Sequence, residues 1–408
     1  MNIADDLLAP AMLENPFPAL AVLRSGDPVH WNPLHRAWML TRHDDVRDAL
    51  RDVSTFASND RADWGLLAER LADSGGVCAR RWLPLATQVL VGQDPPVHPR
   101  LRTLVSKALT PRLMKSLESS IECHAEALAR GLQSKPEFDL ASQFAEPLSR
   151  YVLLDLLAIP REHLDLMRAW GQAHRRFVAA LLAGDARSLQ EAAAILETEK
   201  EWLGRLIAER RRSPRQDFAS ALVHVEHHGD ALSDEEVFLI LHFFLLVAGH
   251  ETTASLIAIG MLELLRHPSQ WRRLAGEPAL IPSAVRELMR YVSPALLLRR
   301  IVRRGTRLRG RSLNPGESVY LMIGAANRDP HVFPEPEALD IGRDNSQSLA
   351  LGVGPHSCIG GLLAQMETET AVSTLMRHLP RLALGAGRFE FEPSCVVRKC
   401  RSVPVKTG

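Results

Sequence analysis

The sequence predicts a mainly α-helical fold with a minor β region (an α+β class), and three observations lead to this prediction. Apolar residues recur with helical periodicity through most of residues 97–231. A long apolar helix follows at 237–265, and the strand-like segments are few and short. Because no repeat, low-complexity linker or break in composition interrupts the 408 residues, we expect a single domain over 1–408.

The elements of the first half follow in chain order. Two short strands are predicted at 29–31 and 38–40, on either side of a turn. Glycines and prolines in 60–93 predict a long loop, and loops of that length in compact domains often bind ligands. The helical pattern then predicts helices at 98–109, 111–132, 142–158, 161–181, 186–212 and 217–227.

The second half begins with a clear helix start. Ser233 and Glu236 form a capping box, which predicts the first turn of the central helix. Another helix is predicted at about 280–292, ending before Pro294. The remaining predicted elements are strands at 296–302 and 317–323, a proline-rich meander, a helix after Cys358 and a hairpin at 389–405.

Composition and charge exclude several classes of protein. Hydrophobic residues make up 46% of the chain and charged residues 24%, which are ordinary globular values. A formal net charge of +1 gives no electrostatic basis for binding nucleic acid. The five cysteines form no C-x-x-C pair, as expected for reduced thiols. The acidic N-terminus lacks the features of a signal peptide, so we predict a cytoplasmic protein.

The apolar run 237–265 is long enough to be tested as a membrane span. Its centre, however, carries His250 and Glu251. An acidic side chain at a bilayer centre costs roughly 2.5–3.5 kcal/mol on insertion scales. We therefore predict a buried helix that crosses the core of a protein without a membrane anchor.

Cys358 lies in a glycine-containing loop, 351–361, that leads into a helix-forming run. A helix start stabilises an anion and can lower a thiol pKa from about 8.5 to roughly 3.5–7.5. The glycines at 352 and 354 let the backbone approach something large and flat. One thiolate cannot hold zinc or an iron–sulfur cluster, which need about four protein ligands, but it can bind a haem iron. The alternative is a buried structural cysteine beside a glycine turn.

Polar residues interrupt the central helix at 249–253. Glycine costs about 1 kcal/mol inside a helix, and buried polar groups need hydrogen-bond partners. A helix that opens beside bound oxygen could use Glu251 and Thr252 to deliver protons. Alternatively, these side chains are hydrogen bonded to carbonyl groups of the preceding turn.

Two further motifs are weak on their own. Glu287 and Arg290 stand one helical turn apart, a spacing that is common on exposed faces. His98 and Arg102 lie four residues apart at a helix start, where two donors could clamp a carboxylate. Without further context, a solvated basic helix start is the simpler interpretation of this second pair.

Taken together, these four stretches resemble the cytochromes P450, the haem-thiolate monooxygenases, from about residue 10 to the C-terminus. The Cys358 loop resembles the family's haem-binding loop, G-x-G-x-H-x-C-x-G. Residues 248–253 resemble its oxygen-activation segment, and 287–290 its E-x-x-R motif. Residues 94–102 resemble the start of its propionate-binding helix, and weaker matches at 294–300, 326–330 and 333–336 fall in the family's order.

The resemblance implies haem b as cofactor, held between the central helix and the helix after Cys358. Cys358 would ligate the iron. The haem propionates would be bound by His98, Arg102, Arg300 and His356.

The resemblance also implies roles for two other sets of residues. Glu251 and Thr252 would be the acid–alcohol pair of oxygen activation. A buried structural triad behind the haem would consist of Glu287, Arg290 and Arg343.

One position departs from the family pattern. Leu351 stands where the family usually has Phe, packed near the thiolate. Because leucine is smaller and lacks a ring edge, we expect haem binding to survive. The redox potential and the coupling of electron use to product are expected to change.

The substrate pocket is predicted to be apolar, with part of the loop 64–90 as a lid. An apolar lining predicts a hydrophobic small molecule as substrate, with O2 as co-substrate. The residues predicted to face it are Phe244, Val247, Ala248, Leu296 and Val396.

Electrons are expected from NAD(P)H through a separate ferredoxin reductase and ferredoxin, since no reductase is fused to the chain. In the family, the helix that starts near His98 borders the face beside the cysteine. An acidic ferredoxin would be steered to that face by basic side chains. Those of this region are Arg100, Lys107, Arg112 and Lys115.

The sequence therefore predicts a monooxygenase, with two alternatives. A peroxide-using or nitric-oxide-reducing relative is one, although neither chemistry needs the pair Glu251–Thr252. A haem-based sensor or carrier without turnover is the other, and it gives no reason to retain proton-delivery residues or a long lid.

Overall fold

The computed structural model describes residues 3–58, 82, 88–183 and 185–407. The chain forms two compact units, and both are built from discontinuous segments. The first unit comprises Met1–Ala57, Glu118–Arg150 and Glu251–Gly408, and the second comprises Ser58–Leu117 and Tyr151–His250. The prediction of a single domain over 1–408 stays a prediction.

Helices dominate both units, which confirms the predicted mainly helical class. The α-helices are α1 Pro10–Glu14, α2 Phe17–Gly26, α3 His43–Arg51, α4 Val97–Ala108, α5 Pro111–Leu132, α6 Glu146–Leu157, α7 Leu164–Ala183, α8 Ala186–Arg212, α9 Phe218–His224, α10 Asp234–Phe243, α11 Glu251–Arg266, α12 Pro268–Gly276, α13 Ile281–Val292, α14 Ile323–Ala326 and α15 Gly361–His378. Single π-helical turns occupy Ala141–Ala145 and Phe244–Ala248.

Strands are short, as predicted for the minor β region. They are β1 Val29–Asn32, β2 Ala37–Leu40, β3 Phe56–Ala57, β4 Glu137–Asp139, β5 Glu226–His227, β6 Asp230–Ala231, β7 Leu298–Val302, β8 Thr306–Leu308, β9 Arg311–Leu313, β10 Ser318–Leu321, β11 Ala383–Leu384, β12 Glu390–Phe391, β13 Cys400–Ser402 and β14 Pro404–Lys406.

A five-stranded sheet organises one side of the first unit. Its strand order is β1-β2-β10-β7-β3, and β10 runs parallel to β2 but antiparallel to β7. The sheet is covered by α3 through Val46 and Leu50, which pack with Val319 and Leu321 in one hydrophobic cluster. Burial of such branched side chains stabilises the fold by about 25 cal/mol per Å² of apolar surface.

Three helices of the first unit, α11, α13 and α15, pack against one another. The side chains of α11 are buried from Thr253 to Leu264. A Cβ atom at Gly260 would lie 3.2 Å from Leu288 Cδ1, so the missing side chain lets α11 and α13 approach closely. This packing holds α11, α13 and α15 together as one group.

The second unit is a helical layer in which α7 and α8 pack along their length and α8 also contacts α9 and α10. Buried polar pairs join the helices. Arg210 donates to Asp217 at 2.6 Å, and His242 Nδ1 lies 2.9 Å from Glu199 Oε1. Burial and nearby positive charge lower the pKa of the adjoining His174 to about 3, so that imidazole is neutral at physiological pH.

The predicted capping box is confirmed at the start of α10. The Ser233 hydroxyl accepts from Glu236 N at 3.2 Å, and the Glu236 carboxylate accepts from Ser233 N at 2.9 Å. The predicted strand at 317–323 is shorter, because residues from Ile323 turn into α14. The long loop predicted at 60–93 lies outside the described residues up to 87, apart from Trp82.

Among the described residues, one run, Asp234–Arg266, is long and apolar enough to cross a membrane by length and composition. Of its most apolar window, 65% is buried within the fold. Such burial is typical of the core helix of a globular protein.

Candidate active site

The loop that carries Cys358 is closed by its own backbone. Gly352 N donates to Leu349 O at 2.9 Å, Ser357 N to Gly354 O at 3.1 Å, and Cys358 N to Leu351 O at 2.7 Å. Gly352 and Gly354 have φ values of +66° and +76°, which other residues rarely adopt. The loop therefore has one defined shape, and it presents the Cys358 side chain exposed, three residues before α15.

Two close contacts fix the position of this loop. A Cβ atom at Gly354 would lie 3.1 Å from the Leu50 carbonyl oxygen, so the loop packs against the end of α3. A Cβ atom at Gly361 would lie 3.0 Å from Leu351 Cδ1. Leu351, the position that departs from the family pattern, therefore packs on the first residue of α15.

The central helix opens where the sequence predicts an interruption. After α10 comes the π-helical turn, in which Gly249 N donates to Phe244 O at 3.0 Å, five residues back. A Cβ atom at Gly249 would lie 2.4 Å from that oxygen and 2.9 Å from Leu153 Cδ1. Only glycine fits this turn, because a real Cβ atom does not approach other atoms so closely.

Glu251 and Thr252 form the first turn of α11, and both are half-buried. An acidic residue is favourable in a first turn because it lies near the positive end of the helix dipole. The opening is thus followed by a carboxyl group and a hydroxyl group at consecutive positions of a helix start. These are groups that can hold and transfer protons.

The residues predicted to form a buried triad lie together in the first unit. Arg290 binds Glu287 through two hydrogen bonds of 2.8 Å, and neither side chain is exposed. Arg343 Nε lies 3.2 Å from Glu287 Oε1. Arg290 also donates to the Asn327 and Pro336 carbonyl groups at 2.8 and 3.1 Å. Each buried charge therefore has a partner, and the hydrogen bonds tie α13 to the segment 327–343.

The residues predicted to bind the propionates are divided between the units. In the first unit, Arg300 on β7 is 4% exposed and His356 in the cysteine loop is half-buried. In the second unit, His98 is 2% exposed and Arg102 is half-buried, one turn later on α4.

The residues predicted to face the substrate have different environments. Phe244 is buried, with its ring 5.2 Å from that of Phe218, and Ala248 is half-buried. Val396 is 49% exposed, and its carbonyl group accepts from Leu296 N at 2.9 Å.

Leu296 itself packs in the core cluster around α2, where its Cδ1 would lie 2.6 Å from a Cβ atom at Gly324. The Leu296 side chain therefore belongs largely to the hydrophobic core. The side chain of Val247 lies outside the described part of the chain, as does the proposed lid apart from Trp82 and residues 88–90.

Glu367 and Arg398 are among the buried charged residues that the sequence-based prediction did not single out. Glu367 on α15 is 1% exposed, and burial raises the pKa of its carboxyl group well above the usual value. Arg398 in the C-terminal hairpin is 7% exposed. The available signal for Glu367 was its position on a predicted helix, beside Thr368 and four residues before Ala371. Both of these neighbours are buried in the structure. Arg398 gave no comparable signal, because the side chains that bury it are distant in sequence.

The donor set of the first unit fits a haem. It offers one exposed thiol on a rigid loop, a buried guanidinium at Arg300 and the imidazole of His356. In the described ranges, no group of three or more His, Cys, Asp or Glu side chains could hold a metal ion by itself. A thiolate-ligated haem requires one axial thiolate for its iron and cationic side chains that bind its two propionate carboxylates.

Known proteins resemble this chain in both sequence and fold. Residues 150–381, more than half of the chain, match the family described as Cytochrome P450. The chain is 32% identical to the polyketide biosynthesis cytochrome P450 PksS of Bacillus subtilis, over 96% of this chain and 95% of that one. It is 36% identical to the vitamin D(3) 25-hydroxylase of Pseudonocardia autotrophica, over 99% and 96%.

The solved structure of PksS superposes with a TM-score of 0.86 at 30% identity, covering 98% of this chain and 99% of that one. Sequence and fold therefore agree over nearly the whole length. The chain belongs to the cytochrome P450 family, and it is a haem b monooxygenase that inserts one oxygen atom from O2 into a hydrophobic small molecule.

Proposed function

We propose that the Cys358 thiolate is the protein ligand of the haem iron and that Arg300 and His356 bind the propionates. The observation that supports this most directly is the exposed thiol on a loop whose shape is fixed by three backbone hydrogen bonds. When bound, the haem supplies the activation of O2 and the transfer of one oxygen atom. The thiolate contributes electron density that favours O–O cleavage.

Glu251 and Thr252 are proposed to manage the protons. The Thr252 hydroxyl group holds a proton donor in place by hydrogen bonding, and the Glu251 carboxyl group passes protons inward from solvent. Three features support these roles: the opened helix before Glu251, the half-burial of both side chains, and the packing of α11 against α15. A hydroxyl and a carboxyl group in the first turn of a helix are both groups that can hold and transfer protons.

The proposed role of Thr252 is tested by the ratio of product formed to NADH consumed. Thr252→Ala removes the hydroxyl group, so electrons are expected to leave as hydrogen peroxide while NADH is still consumed. Ser255→Ala is the matched control, because Ser255 is a buried hydroxyl one turn later on α11 with no hydrogen-bond partner among the described residues. An unchanged ratio in Thr252→Ala would show that Thr252 is only a helix residue.

A ferredoxin and its reductase are proposed as the electron donors, with docking through Arg112 and Lys115. Both side chains are exposed at the start of α5. Arg100 contributes less than the sequence predicts, since it is held by Asp230 at 2.7 Å and by Glu236 at 2.5 Å. Lys107 Nζ lies 2.7 Å from His227 Nδ1.

Charge reversal at Arg112 tests this docking surface. Arg112→Glu is expected to slow reduction by an acidic ferredoxin and to flatten its dependence on salt, because steering by surface charge is screened by ions. Arg187→Glu, at a side chain that is 90% exposed on α8, is the control and should leave the rate unchanged. Reduction rates that do not respond to salt in the unmodified protein would contradict docking by charge.

A large apolar molecule is proposed as the substrate class. The relatives named for vitamin D(3) hydroxylation and polyketide biosynthesis support this choice. Titration of steroids, polyketides and small polar molecules into the haem protein, followed by the shift of the haem from low to high spin, tests it. Saturable shifts with the first two classes are expected, and shifts with small polar molecules alone would contradict the proposal.

A further inference from the structure

A cavity of about 390 Å³ lies in the first unit, and none of its lining residues has been assigned to haem, oxygen or substrate. It lies among α2, the end of α11, α13 and the C-terminal hairpin. Its walls carry the aromatic rings of Phe17, Tyr291, Phe389 and Phe391 together with arginine side chains.

In this cavity, arginine guanidinium groups lie against the aromatic rings. The Arg328 guanidinium lies 3.6 Å from the centre of the Phe17 ring and 4.0 Å from that of Tyr291. The Arg398 guanidinium lies 5.4 Å from the centre of Phe17 and 4.8 Å from that of Phe391. Cations within about 6 Å of a ring centre are attracted to it. Phe17 is thus shared by two positive charges.

The three arginines of the cavity differ in whether a carboxylate neutralises their charge. Arg328 is paired with Glu337, and Arg266 with Glu263 at 3.0 Å. Arg398 has no carboxylate within salt-bridge distance in the described part of the chain. Its Nη2 donates to the Glu14 carbonyl group at 2.8 Å, and its buried Nε has no acceptor among the described residues.

Burial lowers the pKa of Arg398 to about 10, against the attraction of Glu263. The group nevertheless stays charged at physiological pH. A buried charge with so few partners is unfavourable, and an anion that enters the cavity would relieve this.

We propose that this cavity binds a small aromatic monocarboxylate, with the carboxylate on Arg398 and the ring against Phe389 and Phe391. A planar guanidinium matches a carboxylate through paired hydrogen bonds. The rings accept an apolar body. Glu14, Glu263 and Glu337 also line the cavity, and their charges disfavour anions with more than one negative charge, such as phosphate.

Binding is tested on the haem-loaded protein with 4-fluorobenzoate, observed by fluorine NMR. Saturable broadening is expected, with 4-fluorobenzyl alcohol binding at least 10-fold more weakly because it lacks the charge. The Soret band is recorded in parallel and should not move, since binding in the haem pocket would shift it. Equal binding of the acid and the alcohol would overturn the proposal.

Two variants test whether 4-fluorobenzoate binds at Arg398. Arg398→Met is expected to weaken 4-fluorobenzoate binding at least 10-fold, while Arg401→Met, at a side chain 57% exposed on the neighbouring β13, should not. Photolabelling of the unmodified protein with 4-benzoylbenzoate gives an independent answer that does not depend on a variant folding. Labelled peptides that contain Phe17 or Phe389–Arg398 support the site, and labelling confined to other peptides refutes it.

Discussion

The Cys358 loop and the opening in the central helix both depend on glycine, but for different reasons. In the loop, Gly352 and Gly354 adopt positive φ values that other residues rarely reach. At the opening, Gly249 has an ordinary φ of −81° but no room for a side chain. The loop is fixed by its backbone conformation, whereas the opening is fixed by close packing against its neighbours.

Under the proposed roles of Cys358, Glu251 and Thr252, this difference separates two functions. The loop holds a single thiol in a defined place, so changes there should alter the iron and its potential. The opening places Glu251 and Thr252 in a first turn, so changes there should alter proton supply and leave the spectrum of the haem as it was. Three variants test this separation, in order of decreasing effect.

Replacement of the acid at the opening should have the largest effect. Glu251→Gln is expected to lower turnover by about 10²–10⁴-fold, the usual contribution of a general acid–base group. Glu251→Asp, which keeps the carboxyl group, should recover part of the rate. The measurement is product formation at saturating ferredoxin. A loss of haem or an altered spectrum in Glu251→Gln would mean that the opening also shapes the iron site.

A side chain at Gly249 should be the next most damaging change. Gly249→Ala is expected to cost about 1–3 kcal/mol of unfolding free energy, the usual range for overpacking, because its Cβ atom would collide with Phe244 O. Gly204→Ala is the matched control in α8, where a Cβ atom meets nothing within 4 Å. Removing a helix glycine there should stabilise the protein by up to about 1 kcal/mol. Equal stabilities of the two variants in chemical denaturation would refute the packing argument.

The smallest effect is expected at Leu351, which packs on Gly361 at the start of α15. Leu351→Phe should shift the reduction potential of the haem and the fraction of electrons that leave as peroxide, with haem content unchanged. Leu351→Met, of similar volume, serves as the control. Redox titration measures the shift, and identical potentials in all three proteins would show that Leu351 is a neutral replacement.

The order of elements could be predicted from the sequence because helical periodicity and capping are local. The helices predicted at 111–132 and 186–212 have the observed bounds, and Ser233 begins the central helix as predicted. The strand predicted at 296–302 begins later, at Leu298, because Ala295 pairs singly with Val397 of the hairpin. Such pairing depends on residues about a hundred positions apart.

The site could be predicted in part. Motif spacing singled out Cys358, Glu251 and Glu287 as candidates, because each motif occupies a short stretch of chain. The environment of Arg398 could not be predicted, since its neighbours Phe17 and Glu14 lie almost four hundred residues away. A local pattern carries no information about a cavity built from both ends of the chain.

Cys358 is proposed to ligate the haem iron as a thiolate. The direct measurement is the absorption spectrum of the reduced protein under carbon monoxide. We predict the red-shifted Soret band of a thiolate-ligated haem, and its loss in Cys358→His with haem still bound. A wild-type spectrum like that of a histidine-ligated globin, or an unchanged band in Cys358→His, would contradict thiolate ligation by Cys358.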